Sequence, residues 1–132
     1  MWQRIQTIFL LIAALAAIAF IFLPIAEKEQ AVLLFVKYDI IATSVSVAIA
    51  LLGFFTITQY KNRKLQMRFC FIIILLAIIL FGASFNAANI YSDNIRYEFV
   101  AGVPLIIIIS TILARRNINK DEALVKSMDR FR

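Results

Sequence analysis

A chain of 132 residues that is 63% apolar and only 17% charged, with a mean hydropathy of +0.89, carries more hydrocarbon than a small soluble domain can hide. That surplus excludes a disordered segment, a disulfide-rich secreted module and a soluble nucleic-acid-binding domain, although the net charge of +6 and the pI near 9.8 would suit a polyanionic ligand. The excess is expected to face lipid.

The first apolar stretch, residues 5–26, has 22 positions without a charge between Arg4 and Glu27. As a helix it is roughly 33 Å long, which matches a hydrocarbon core of about 30 Å. It runs past the usual length of a signal-peptide core, and Leu23-Pro24-Ile25-Ala26 is a poor cleavage site, so it is expected to stay attached. Residues 39–60 and 69–87 are long enough to span as well. Residues 97–114 complete the set, with Tyr97, Glu98 and Arg115 snorkelling to make up a short apolar run. None of these runs alternates apolar and polar residues, so helices are expected and a transmembrane barrel is not.

Basic residues give the threading. Arg4, the cluster Lys61, Arg63, Lys64 and Arg68, and the tail with Arg115, Arg116, Lys120, Lys126, Arg130 and Arg132 fall on one side, for a net charge of +8. The other side carries −2. Both termini are therefore expected in the cytoplasm. Trp2, Tyr38, Tyr60, Tyr91 and Tyr97 all lie near span ends, where interfacial anchors belong.

The first external loop, between Glu27 and Asp39, holds an apolar island, Ala31 to Val36, too short to span. The second contains Asn89-Ile90-Tyr91 and Ile95-Arg96-Tyr97, which suit short strands. The two loops are expected to pair as a small sheet, with Phe35 either packed on the bundle or marking a partner contact. After Arg116 the tail, residues 115–132, reads as a separate basic amphipathic helix, capped by Asn119 with Glu122 three residues on. Its Leu124, Met128 and Phe131 suit the inner membrane surface or a protein partner.

The available chemistry is sparse. There is no histidine, the single cysteine is Cys70, and no span carries an ionisable residue in its interior. No catalytic residue, cofactor or metal is expected, and the chain reads as a non-enzyme. The pairs Glu27 with Glu29 and Asp121 with Glu122 read as solvated carboxylates. Small residues instead mark packing faces: Ala13 and Ala17 on the first span, Thr43, Ser46, Ala50 and Gly53 on the second, Ala77 and Ser84 on the third.

The opening Met1-Trp2-Gln3-Arg4-Ile5-Gln6-Thr7 and the closing Asp121-Glu122, Leu124-Val125, Ser127 and Asp129-Arg130 resemble a Bacteroidota family of small four-span membrane proteins known only as a domain of unknown function. The resemblance implies an inner-membrane location and brings no activity. The expected fold is an all-α four-helix membrane bundle. Its partners are the lipid bilayer and either a membrane protein or further copies of itself, with no nucleic acid. The leading functional expectation is an accessory or scaffold subunit of a membrane complex; the alternative is a small oligomeric transporter or channel lined by Thr43, Ser46 and Gly53.

Overall fold

The computed structural model describes residues 2–28, 32–35, 40–91 and 102–130. Four helices make the body of the fold: α1 (Trp2–Ile21), α2 (Ile40–Thr58), α3 (Arg63–Tyr91) and α4 (Val103–Asp129). A two-stranded hairpin, β1 (Pro24–Lys28) and β2 (Val32–Phe35), stands between α1 and α2.

Each helix ends where the chain loses the means to continue. α1 closes through two tight i→i−3 hydrogen bonds, from the Phe22 and Leu23 amides to the Ala19 and Phe20 carbonyls. Pro24 then opens β1, a position that asks for no ladder donor. Helix α1 therefore stops five residues short of the expected residue 26. In the α2–α3 link, Asn62 accepts from the Leu65 amide at 3.4 Å and so caps α3. Pro104 sits in the first turn of α4, behind Gly102, where its missing N–H costs nothing.

The helices form a closed ring in which α1 borders α2 and α4, and α3 borders the same two. The short α2–α3 link makes those helices antiparallel. Gln6, early in α1, meets Asp121, late in α4, so that pair is antiparallel too. The start of α1, the α2–α3 link and the second half of α4 thus share one end of the bundle. The basic residues of the link and of α4 gather there.

Two expectations are corrected, the strand at 89–91 and the separate tail helix. Among the described residues the sheet is local to the first external loop: β1 pairs antiparallel with β2, with Ala26 opposite Leu34, Glu27 opposite Leu33 and Lys28 opposite Val32, and an irregularity between Pro24 and Ala26. Asn89, Ile90 and Tyr91 are the last turn of α3 and not a strand, while residues 95–97 lie outside the described residues. Nor is the tail a separate helix, because α4 runs unbroken from Val103 to Asp129 and Asn119 lies in its interior. No glycine or proline interrupts residues 105–130, so nothing stops propagation.

Among the described residues two segments, α2 (Ile40–Thr58) and the Arg63–Asn86 part of α3, are long and apolar enough to cross a membrane. The apolar part of α1, Ile5–Ile21, is shorter, at roughly 26 Å. The described apolar part of α4, residues 103–114, is shorter still, about 18 Å.

The interior mixes small and hydroxylated side chains with large apolar ones. Ala13, Ala17, Ala50 and Ala77 are buried together with Phe20, Ile49, Ile73, Leu80 and Ile107. A second cluster, Leu10, Cys70, Ala114 and Ile118, lies toward the basic end. Buried hydroxyls answer to their own helices: Ser46 donates to the Ala42 carbonyl at 2.8 Å, Ser84 to Leu80 at 2.7 Å and Thr111 to Ile107 at 2.7 Å. Among the described residues no buried side-chain nitrogen or oxygen lacks a partner.

Candidate functional site

Polar side chains concentrate at the basic end. Gln6, only 5% exposed, comes from the second turn of α1, and Asp121, 8% exposed, from the second half of α4. The Gln6 Nε2 donates to Asp121 Oδ2 at 2.5 Å across 115 positions of sequence. Arg63, the first residue of α3, donates from Nη1 to the Asp121 main-chain carbonyl at 3.0 Å. One residue of α4 is thereby tied to the starts of both α1 and α3. Asp121 reads in the sequence as a solvated acid between Lys120 and Glu122; the structure makes it the buried centre of a three-helix clamp. A signal for it lay in the resemblance, since Gln6 and Asp121 each belong to one of the two end segments that carry it.

Beyond the clamp, α4 leaves the bundle. Every described residue from Ala123 to Arg130 is exposed, including Leu124, Val125 and Met128, which share one face at i, i+1 and i+4. Lys126 points away from that face and pairs with Glu122 at 3.0 Å. The pair is an exposed i, i+4 bridge with the acid leading, worth a few tenths of a kcal/mol. Lys126→Ala is expected to change the unfolding free energy by no more than about 0.5 kcal/mol, measured by thermal unfolding in mild detergent.

Between this projecting turn and the α2–α3 link lies a groove of about 570 Å³ whose walls include Tyr60, Lys61, Arg63, Lys64 and Lys126. Tyr60 is exposed, with the Lys61 Nζ 5.9 Å from its ring centroid. Among the other expected anchors, Trp2 and Tyr91 lie in α1 and α3, and Tyr38 and Tyr97 fall outside the described residues. Phe35 is the last residue of β2, and Phe131 lies outside the described residues.

The small-residue faces occupy the following places. Ala13, Ala17, Ser46, Ala50, Gly53, Ala77 and Ser84 are buried, and Thr43 is half-buried. A Cβ placed on Gly53 would lie 3.1 Å from the Ala14 Cβ, so α1 fills the space beside α2 at that level. Cys70 is fully buried. Among the described residues no group of three or more His, Cys, Asp or Glu side chains is placed to hold a metal.

This arrangement has the parts of a fastening and of a charged surface: a buried clamp, a basic rim and a projecting amphipathic turn. No curated protein and no solved structure matches the chain. A family model does match, over residues 2–131, and on that nearly complete coverage the chain belongs to the family described as Domain of unknown function (DUF4293).

Proposed function

We propose that this chain is a non-enzymatic integral protein of a bacterial inner membrane, all four helices inserted and both ends cytoplasmic, serving as an accessory or scaffold subunit of a membrane complex. The observation that carries the membrane part is the amount of large apolar side chain that the helices leave on their outside. Alanine, serine, threonine and glycine are abundant between the helices, whereas Ile8, Leu15, Leu51, Ile78, Ile79 and Ile109 are each more than half exposed on the outside. Only 33% of the apolar window of α2 and 28% of that of α3 is buried. The core helix of a soluble protein leaves few large apolar residues outside; helices packed in lipid can expose them and approach one another through small ones. The outward-facing Ile and Leu of α1 and α4 extend the same pattern to the two shorter helices, and local thinning of the bilayer accommodates their length.

Two measurements test this part. The chain should remain in the pellet after alkaline carbonate extraction, and a reporter fused after Arg132 should be active only in the cytoplasm. Extraction into the supernatant overturns the membrane reading, and a periplasmic signal overturns the threading.

The scaffold part is supported by the exposed Leu124, Val125 and Met128 face, which projects past the clamp on a continuous helix. A photo-reactive residue at position 128 should crosslink one discrete protein in cells, and Leu124→Asp should abolish that product without affecting membrane integration. Crosslinks to lipid alone, or a ladder of unrelated products, count against a scaffold role.

A further inference from the structure

A second groove of about 550 Å³, sharing Lys64 with the groove already described, opens between α3 and α4. Its lining is Lys64, Met67, Arg68, Phe71, Ile72 and Arg115: three cations, three apolar side chains and no acid. Lys64 and Arg68 stand one helical turn apart, as do Met67 and Phe71, so α3 presents a charged edge beside an apolar one. Arg115 reaches over from α4, its Cζ 5.5 Å from the Phe71 ring centroid. Among the described residues none of the three cations has a carboxylate partner. From the groove a strip of exposed apolar residues, Ile72, Leu75 and Ile79, continues along α3 away from the charged end.

We propose that this groove is a binding site for one anionic phospholipid, with its phosphodiester held by Lys64, Arg68 and Arg115 and its first acyl segment lying over Phe71 and Ile72. The proposal rests on the membrane reading above. Charge complementarity selects an anion, since unpaired guanidinium groups offer forked donors to phosphate oxygens. The apolar half selects a lipid over a soluble phosphate, because the cations end where the exposed Ile72–Leu75–Ile79 strip begins. A bare anion would leave that strip uncovered. A zwitterionic headgroup would bring its own cation into a site that already holds three.

The test is native mass spectrometry of the full chain in mild detergent with dioleoylphosphatidylglycerol or dioleoylphosphatidylcholine added. One phosphatidylglycerol should be retained with a preference of at least roughly tenfold over phosphatidylcholine, the contribution of one to two lysines or arginines near an anionic headgroup. The triple variant Lys64→Gln, Arg68→Gln, Arg115→Gln should lose the preference, and Lys64→Arg should keep it. Phe71→Ala should weaken lipid retention severalfold. The matched triple Arg116→Gln, Lys120→Gln, Arg130→Gln should behave as wild type; an equal loss there would mean diffuse attraction and overturn the site. Displacement of the lipid by millimolar inorganic phosphate would make the groove a plain anion site and also overturn the proposal. Carbonate extraction of the same cells separates the two levels: resistance together with no lipid preference sinks this site alone, whereas extraction sinks the membrane reading itself.

Discussion

Asp121→Ala is expected to lower the unfolding free energy by about 2–3 kcal/mol, measured by denaturant or thermal unfolding in mild detergent. The substitution removes the acceptor of a buried hydrogen bond and leaves the Gln6 carboxamide, itself only 5% exposed, without its partner. Leaving a buried donor unmade costs about 1–3 kcal/mol, more than the net value of an average hydrogen bond. Asp121→Asn keeps an acceptor oxygen in place and should cost less than about 1 kcal/mol. Arg63→Ala should also be mild, because the Asp121 carbonyl that Arg63 contacts lies inside a helix. The decisive comparison is the double-mutant cycle of Gln6→Ala and Asp121→Ala. A coupling of about 1–2 kcal/mol is expected if the pair acts as one unit. Additive losses would mean that α1 and α4 are held by apolar packing alone and that the clamp is incidental.

The four helices were legible in the sequence because the physics behind them is local. An uncharged run bounded by charges, with no alternation, needs only counting, and the antiparallel order follows from the short link at 59–62. The hairpin was harder, since a six-residue apolar island does not say which segment pairs with it, and Pro24 looked like a helix end more than a strand start. The tail was misdivided for a similar reason. Asn119 and Glu122 have the spacing of a capping box, but a cap acts only where a helix begins, and α4 was already under way. The clamp depends on tertiary structure alone. Gln6 and Asp121 are 115 positions apart, and Asp121 sits in a charged run that reads as solvated unless the ring of helices is known.

Helix packing through small residues demands that backbones come close, and Gly53 is where that demand is sharpest. Gly53→Leu is expected to destabilise the bundle by about 3 kcal/mol, at the upper end of ordinary overpacking costs. The nearest atoms to an added Cβ are the Ala14 Cβ at 3.1 Å, the Ala14 Cα at 3.7 Å and the Leu10 carbonyl oxygen at 3.8 Å. None is the far end of a flexible side chain, so nothing can rotate aside. Relief requires α1 and α2 to separate, which loosens the buried Ala13, Ala17 and Ala50 at the same time. Gly53→Ala sets the same strain, at a few tenths of an ångström, against the roughly 1 kcal/mol by which alanine favours a helix. A net cost of about 1 kcal/mol is expected. Gly82 supplies the control, because a Cβ there meets nothing within 4 Å. Gly82→Ala should be neutral or stabilising by up to about 1 kcal/mol. Trimming the opposing helix should make Gly53→Ala less harmful, so Ala14→Gly and Gly53→Ala together should cost at least about 0.5 kcal/mol less than the sum of the two single changes. If Gly53→Leu unfolds at the wild-type temperature, α1 and α2 are not in contact at this level and the ring of helices is wrong there.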